Sequence, residues 1–255
     1  MKHQDTTALV TGASKNIGRE IAVRMAEEGA DVGITSRSDR EGCAETAQRV
    51  REAGGEAAVS LAELGDPESI EEMVGDIRER LGSIDVLVNN ATYRPEKDFL
   101  DVTVDDIDEV MNINFRGIFL TAQHVVPDMI ESGGGAIVNL IGAMVYLGRP
   151  DHVHSYGTKF AIEGQTRQLA TEVGDQGIRV NAISPGLIDT DREMTAEGER
   201  LLESIIESTP LKRMGKPEEI ADVCSFLASD QASFITGQVI HANGGTYPTP
   251  TIVPD

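Results

Sequence analysis

The 255-residue chain contains no tryptophan, only two cysteines and only 4% aromatic residues. Cys43 and Cys224 lie far apart and match no metal-ligand spacing, so the sequence predicts neither a disulfide framework nor a metal site. The longest nearly apolar run, residues 136–148, is too short for a membrane-spanning helix, which needs about 20 residues. Basic residues are also scarce. The chain contains 22 Lys and Arg residues and 43 Asp and Glu residues, which give a formal net charge of −21. Such a charge repels phosphate backbones and anionic lipid, so we expect no nucleic-acid partner and no membrane partner.

The remaining composition is that of an ordinary globular protein. Hydrophobic residues make up 40% of the chain and charged residues 25%, which are typical values for folded domains. The first five residues are polar and run directly into a strand pattern, so no signal peptide is predicted. Together with the sparse cysteines, which suit a reducing compartment, this pattern favours a cytoplasmic protein.

Short apolar strand patterns alternate with helix patterns along the chain. The predicted strands are residues 7–10, 31–35, 57–61, 84–88, 136–140, 178–183 and 238–240. The predicted helices are residues 17–28, 40–53, 67–81, 104–132, 155–173, 196–207 and 217–228, with a kink at Pro127. This alternation predicts the α/β class, as a single doubly wound domain with a mostly parallel seven-stranded sheet over residues 1–245. Residues 246–255, which include three prolines, are predicted to form a C-terminal tail.

The loop after the first predicted strand contains Gly12 and Gly18. In a doubly wound sheet, ligands bind beyond the carboxyl ends of the strands. Glycines at this place let the backbone approach a pyrophosphate, which then sits on the unpaired N–H groups of the following helix. The position of the loop between a strand and a helix therefore predicts a dinucleotide site.

From this loop onward the chain resembles the short-chain dehydrogenase/reductase family, whose nucleotide loop reads T-G-x-x-x-G-x-G. Residues 11–18 match that loop except that Asn16 replaces the middle glycine, and asparagine tolerates left-handed backbone. The other matching motifs follow in the family's order: Asn89-Asn90-Ala91, Asn114, Tyr156-Gly157-Thr158-Lys159, Pro185-Gly186, Thr190, residues 213–221 and Thr236-Gly237. The resemblance covers nearly the whole chain and implies a Rossmann-type fold, an oxidoreductase activity and a homotetramer.

Tyr156 and Lys159 are three residues apart on a predicted helix, so their side chains project from one face. A tyrosine in water has a pKa of about 10, too high for a base at neutral pH, and a neighbouring ammonium group lowers that pKa. In the resembled family the tyrosine exchanges a proton with the substrate oxygen, and the lysine also holds the nicotinamide ribose. By the same resemblance Asn114 anchors a water-mediated proton relay to the lysine, and its spacing to Gly117 favours it over Asn112.

One departure from the family pattern lies after the fifth predicted strand. The family usually reads N-I-S-S there, and its second serine donates a hydrogen bond to the substrate oxygen. Alignment by strand places Gly142 at that position, whereas counting back from Tyr156 places Ala143 there, and neither has a side-chain donor. One such hydrogen bond is worth roughly 3 kcal/mol in the transition state. The predicted substrate-binding residues are Tyr93, Gly142, Ala143, Tyr146 and His154, with His152 as a further candidate donor. The alternative for the two histidines is an exposed loop without a role.

The charges at the end of the second predicted strand favour NADP(H) over NAD(H). An acidic residue there would bind a ribose 2′-hydroxyl and repel a 2′-phosphate. This chain instead has Ser36 and Arg37, with Lys15 in the first loop as a second cation, and such groups bind phosphate through charge-assisted hydrogen bonds. By resemblance, Glu63 replaces an aspartate beside the adenine, and Thr190 contacts the nicotinamide carboxamide. The predicted cofactor-binding residues are Gly12, Ser14, Lys15, Asn16, Ile17, Gly18, Ser36, Arg37, Glu63, Leu64, Asn90, Ala91, Tyr156, Lys159, Pro185, Gly186, Ile188 and Thr190.

The resemblance implies an NADP(H)-dependent oxidoreductase that interconverts a carbonyl and an alcohol of a small molecule, similar to 3-oxoacyl-thioester reductases and sugar or polyol dehydrogenases. The spacing of Tyr156 and Lys159 argues against the enoyl-reductase branch, which separates these residues more widely. The absent serine keeps two alternatives open. One is a non-redox enzyme of the dehydratase, epimerase or dehalogenase type, and the other is a catalytically weak NADP-binding sensor or structural subunit.

Overall fold

The strands of the structure, a computed structural model that describes residues 2–191 and 196–248, form one parallel sheet. The strands are β1 (Thr7–Thr11), β2 (Asp31–Thr35), β3 (Ala57–Val59), β4 (Val86–Asn89), β5 (Gly135–Leu140), β6 (Ile178–Pro185) and β7 (Val239–Ala242). Their order in the sheet is β3-β2-β1-β4-β5-β6-β7, and every neighbouring pair is parallel. The predicted fold class, a doubly wound α/β domain with a seven-stranded parallel sheet, is confirmed.

Helices connect the strands and cover both faces of the sheet. They are α1 (Asn16–Glu27), α2 (Arg40–Glu52), α3 (Pro67–Leu81), α4 (Val104–Met111), α5 (Gly117–Glu131), α6 (Met144–Leu147), α7 (Val153–Val173), α8 (Ala196–Ser208) and α9 (Pro217–Ala228). Local sequence explains several of their starts. Asp66 caps α3 by accepting a hydrogen bond from the Glu68 N–H, and Pro67 occupies the first helical turn, where its missing N–H costs nothing.

The core lies in two layers, one on each face of the sheet. Val10 of β1 packs in the layer beneath α1, α2 and α9, whereas its neighbour Leu9 packs in the layer beneath α3 and α5. Successive side chains of a strand point to opposite faces, so this alternation follows from the backbone. Cys43 and Cys224 are both buried as free thiols in the first layer.

The stretch predicted as one helix over residues 104–132 is helical from Val104 to Glu131, and only its middle departs from α-helical geometry. Between α4 and α5, residues Asn112–Arg116 form one wide π-helical turn, in which the Gly117 N–H donates to the Asn112 carbonyl oxygen five residues back. Such turns arise where an α-helix accommodates an extra residue. Pro127 lies inside α5, as predicted.

Among the described residues, no helix is long and apolar enough to cross a membrane. Within the same residues, no cluster of three or more His, Cys, Asp or Glu side chains is arranged to hold a metal ion. The predicted C-terminal tail is described only as far as Pro248, and its remainder, residues 249–255, lies outside the described residues.

Candidate active site

The loop from β1 to α1 is shaped by close backbone approaches. Gly12 has φ +65°, and a Cβ atom on it would lie 2.8 Å from Ala91 Cα. A Cβ atom on Gly18 would lie 2.3 Å from the Gly12 carbonyl oxygen. Asn16 has φ +52°, the left-handed backbone that its place in the motif predicts. The loop thus leaves an open cradle at the start of α1, where unpaired N–H groups and the helix dipole favour an anion.

A cleft of about 350 Å³, here called the nucleotide cleft, runs along the carboxyl ends of β1, β2, β3 and β4. Thirteen of the predicted cofactor-binding residues line it: Gly12, Ser14, Lys15, Asn16, Ile17, Gly18, Ser36, Arg37, Glu63, Leu64, Asn90, Ala91 and Thr190. Its wall also includes Tyr93, which was predicted to bind substrate, and five residues absent from the predicted cofactor set: Thr35, Ala62, Thr92, Arg94 and Ile113. The Thr190 hydroxyl oxygen is buried and has no hydrogen-bond partner among the described residues. An unsatisfied polar atom facing this cleft fits a bound ligand with a polar group.

A second cleft, here called the catalytic cleft, adjoins the first and shares Ile17, Asn90, Thr92 and Arg94 with it. It brings Tyr156 and Lys159 together with Gly142 and Ala143. The predicted cofactor residues Pro185, Gly186 and Ile188 form another part of its wall. The two clefts meet at the end of the sheet that the topology assigns to ligands.

Lys159 is buried at the base of the catalytic cleft. Its ammonium nitrogen donates to the Leu140 carbonyl oxygen at 3.1 Å. Burial, and to a smaller extent the positive charge of Arg94, lower the pKa of Lys159 to about 7. Tyr156, one helical turn away on α7, is half-buried. The structure therefore places the pair on one face, as the spacing predicts.

Asn114 lies in the wide turn between α4 and α5 and is fully buried. Its Oδ1 accepts from the Tyr93 N–H at 2.8 Å and from the Thr92 hydroxyl at 3.3 Å. Its Nδ2 donates to the Tyr93 carbonyl oxygen at 2.8 Å and to the Thr158 hydroxyl at 3.2 Å. Asn114 therefore ties the loop after β4 to α7 beside Lys159, whereas Asn112 lines a separate hollow next to Glu63 and Gly65.

The backbone differs sharply between Gly142 and Ala143, the two alternatives predicted for the position of the family's serine. Gly142 has φ +132°, and a Cβ atom there would meet no atom within 4 Å. Ala143 has ordinary right-handed helical angles, φ −69° and ψ −28°. Its N–H donates to the Pro185 carbonyl oxygen at 2.7 Å. A serine therefore fits the backbone of Ala143 without strain but would be strained at Gly142.

Three of the predicted substrate-binding residues, Tyr93, Tyr146 and His154, are not among the residues that line the catalytic cleft, although Tyr93 lines the nucleotide cleft. Because α7 begins at Val153, His154 and Tyr156 are two residues apart on a helix and point in nearly opposite directions. The His154 ring is buried, and neither nitrogen has a partner among the described residues. His152, at the start of the helix, is the histidine that faces the tyrosine, with ring centroids 4.8 Å apart.

Tyr146 is turned away from the catalytic cleft by its own contacts. Its hydroxyl donates to Glu163 Oε2 at 2.5 Å, and its ring stacks on Tyr247 with centroids 4.5 Å apart. Burial raises the pKa of Tyr146, and the hydrogen bond to Glu163 raises it further. Short sequence distance from the fifth strand suggested a pocket residue, but these aromatic contacts with α7 and the C-terminal segment hold the side chain elsewhere.

The nucleotide cleft also contains an ion pair that the sequence analysis missed. Arg37 Nε lies 2.7 Å from Glu63 Oε2, and the two side chains are 62% and 37% exposed. The residues follow β2 and β3, which are adjacent strands with Ile34 paired to Val59. The strand order would have revealed the pair, because the ends of adjacent parallel strands lie side by side.

Comparison with known proteins identifies the family of the chain. The family model described as enoyl-(acyl carrier protein) reductase matches residues 12–247. The 3-oxoacyl-[acyl-carrier-protein] reductase FabG of Staphylococcus epidermidis is 36% identical over 241 residues, which cover 94% of this chain and 98% of that protein.

Two solved structures share both the fold and much of the sequence. A short-chain dehydrogenase/reductase of Serratia marcescens, solved as a double mutant, is 29% identical with a TM-score of 0.89, over 96% of this chain and 99% of that one. A blue fluorescent protein from a metagenomic library, solved in complex with NADPH, is 33% identical with a TM-score of 0.89, over 97% of this chain and 100% of that one. These matches span the loop, the tyrosine and the lysine described above, and the chain therefore belongs to the short-chain dehydrogenase/reductase family of oxidoreductases.

Proposed function

We propose that this protein is an NADP(H)-dependent oxidoreductase that interconverts a carbonyl and an alcohol group of a small molecule by hydride transfer. The observation that carries the proposal is the meeting of a glycine-lined nucleotide cleft with a second cleft that holds Tyr156 and Lys159. The 3-oxoacyl-[acyl-carrier-protein] reductase relative, 36% identical over most of the chain, supports the same type of reaction.

The nucleotide cleft supports NADP(H) as the cofactor. Arg37 supplies a cation at the end of β2, and Lys15 supplies a second cation in the loop after β1. Ser36 stands where a carboxylate would repel a 2′-phosphate. Glycines 12 and 18 allow the loop to pack closely against Ala91 and Asn90, a loop shape that suits the binding of a pyrophosphate at the start of α1. The relative solved with NADPH supports this choice. When bound, the cofactor supplies or accepts the hydride.

The residues of the chain manage the proton. During carbonyl reduction the Tyr156 hydroxyl donates its proton to the substrate oxygen, and during alcohol oxidation it accepts one. Lys159 stabilises the tyrosinate by its charge, and the Leu140 carbonyl oxygen fixes the position of its ammonium group. Asn114 is a positioning residue, because it holds Thr158, the neighbour of Lys159, against the loop after β4.

We propose further that Gly142 and Ala143 leave the site without the serine hydroxyl that the family uses. Loss of one donor to a developing oxyanion costs roughly a hundredfold in rate. This feature favours a second candidate function, in which the bound nucleotide serves a non-redox reaction or a sensor role. These two alternatives can be distinguished by experiment. A non-redox enzyme forms a product without nicotinamide oxidation, whereas a sensor binds a partner protein only when NADPH is present.

The first test is fluorescence-detected binding of NADPH and NADH, followed by absorbance of the reduced nicotinamide with a carbonyl panel. We expect tighter binding of NADPH, with the preference lost mainly in Arg37→Ala, and carbonyl reduction that disappears in Tyr156→Phe. Equal or reversed cofactor preference would refute the choice of NADP(H). Acetoacetyl and crotonyl thioesters belong in the panel, because turnover of the second alone would indicate enoyl reduction instead.

We also propose a cytoplasmic homotetramer. The two buried free thiols suit a reducing compartment. Large apolar side chains are exposed along the outer faces of α4 and α5, namely Val104, Ile107, Met111 and Phe119. Contiguous exposed apolar surface of this kind is typical of subunit interfaces. Light scattering after size exclusion tests the assembly, and a monomer at micromolar concentration would contradict it.

A further inference from the structure

Arg94 stands at the junction of the nucleotide cleft and the catalytic cleft and lines both. Its side chain is exposed. Within residues 2–191 and 196–248, its guanidinium forms no hydrogen bond or ion pair, whereas many other arginines of the chain are paired with carboxylates, Arg78 with Asp128 and Arg149 with Glu96 among them. An unpaired guanidinium beside a buried lysine is electrostatically unfavourable in the empty site, so it favours the arrival of an anion.

The walls of the catalytic cleft have a composition unlike that of the protein as a whole. Arg94, Arg149 and Lys159 contribute three cations, and no aspartate or glutamate is among the described residues that line the cleft. The chain nevertheless contains 43 acidic and only 22 basic residues. A positive cleft in a strongly negative protein focuses the field on one spot and selects ligands of negative charge.

The two arginines differ in how firmly they are held. Arg149 donates to Glu96 Oε1 at 2.8 Å, and the His152 ring lies 3.5 Å from the same oxygen. Arg149 already has a carboxylate partner at the rim, whereas Arg94 is free to form a two-pronged contact with a carboxylate or phosphate. The remaining wall is mostly apolar, with Leu140, Ile141, Met144, Val145, Leu187 and Ile188. This combination suits a short aliphatic chain with an anionic group at one end.

Resting on the proposed carbonyl chemistry, we propose that the substrate is an oxo acid or hydroxy acid whose carboxylate is bound by Arg94, with Arg149 as a second cation at the rim. The cofactor has its own cations, Lys15 and Arg37, at the far end of the nucleotide cleft. Arg94 thus sets substrate specificity through charge. A phosphate group would use the same fork, so the test separates the two anions.

The experiment compares matched anionic and neutral probes. Levulinate is paired with methyl levulinate, and dihydroxyacetone phosphate with dihydroxyacetone. Calorimetry on the protein loaded with oxidised NADP measures binding, and the loss of NADPH absorbance during reduction of each probe measures kcat/KM. Both are measured for the wild type and for Arg94→Gln, Arg94→Lys and Arg116→Gln. Arg116 is a suitable control because it is exposed and outside both clefts.

We expect the wild type to prefer levulinate over its ester by about tenfold to a hundredfold, the range of a charge-assisted contact. Arg94→Gln should abolish this preference, Arg94→Lys should retain part of it, and Arg116→Gln should leave it unchanged. A preference confined to the phosphate pair would overturn the carboxylate assignment. Equal affinity of the wild type for the charged and the neutral member of both probe pairs would overturn the proposal altogether. The absence of binding of both levulinate and dihydroxyacetone phosphate would do the same.

The two readouts keep this inference separate from the proposed function. If levulinate binds through Arg94 but no carbonyl in the panel is reduced, the carbonyl chemistry fails and the anion site stands. If neutral ketones are reduced while Arg94→Gln changes the affinity for acid and ester alike, the carbonyl chemistry stands and the anion site fails. An effect of Arg94→Gln on NADPH affinity alone would assign the arginine to the cofactor and contradict the proposal.

Discussion

Replacing Lys159 with methionine should change how the stability of the protein depends on pH. The side chain of Lys159 is 2% exposed, and burial lowers its pKa from 10.5 to about 7. At 1.36 kcal/mol per pKa unit, holding the charged form in this place costs roughly 5 kcal/mol. Methionine fills a similar volume without the charge. Lys159→Met should therefore be more stable than the wild type at every pH at which the lysine is protonated in both the folded and the unfolded protein.

The sign of the pH dependence follows from proton counting. Below about pH 7 Lys159 is protonated in the folded and unfolded protein, so the full cost applies. Between about pH 7 and 10.5 the folded protein has released this proton and the unfolded chain still binds it. The free energy of unfolding of the wild type therefore rises relative to the variant across this window, and the advantage of Lys159→Met shrinks.

Urea unfolding of both ligand-free proteins at one protein concentration, at about pH 6, 8 and 10, tests this prediction. Lys15→Met is the matched control, because Lys15 is exposed and its charge stays hydrated. The difference in the free energy of unfolding between Lys15→Met and the wild type should stay constant across this pH window. A stability difference between Lys159→Met and the wild type that stays constant from about pH 7 to 10 would refute the reasoning, since Lys159 would then keep its proton when folded.

Three further predictions concern the two clefts. Glu63→Gln should free Arg37 and tighten NADPH binding by up to about fivefold, the limit for an exposed ion pair, while NADH binding changes little; weaker NADPH binding would contradict the competition. Ala143→Ser should raise kcat for carbonyl reduction by up to about a hundredfold. Gly142→Ser should not raise it, because a side chain is strained at the φ of +132°. A higher kcat in Gly142→Ser than in Ala143→Ser would place the missing donor at Gly142. Asn114→Ala should lower the free energy of unfolding by about 1–3 kcal/mol because buried partners lose their hydrogen bonds, and an unchanged urea midpoint would show that water replaces the amide.

The sequence predicted the fold because local and long-range signals agree. Buried parallel strands such as Thr7–Thr11 have an apolar middle, and the helices between them begin at recognisable signals, as Pro67 shows. The glycines of the first loop are required by atoms that lie less than 3 Å from where a Cβ would be. The strand and helix signals depend on neighbours along the chain, so they are readable without coordinates. The glycines are readable from their motif, although some of the atoms that require them belong to Asn90 and Ala91.

The side chains that depart from the expected positions are those whose direction depends on a helix start or on distant partners. His154 was expected to face the same cleft as Tyr156, but α7 begins at Val153, and a difference of two residues reverses the direction on a helix. Tyr146 is held by Glu163 and Tyr247, and the second of these partners is about a hundred residues away in sequence. The pair between Arg37 and Glu63 likewise needs the strand order. None of these contacts leaves a periodic signal.

The wide turn at Asn112–Arg116 has a consequence for how this region tolerates changes in length. The turn contains one residue more than an α-helical turn would, so removing one residue would convert the segment from α4 to α5 into a regular α-helix. All side chains on one side of the junction would then rotate by about 100° relative to those on the other. Asn114 would leave its place between Tyr93 and Thr158. The length of this segment, and not only the identity of its asparagine, therefore brings an amide group to the floor of the two clefts.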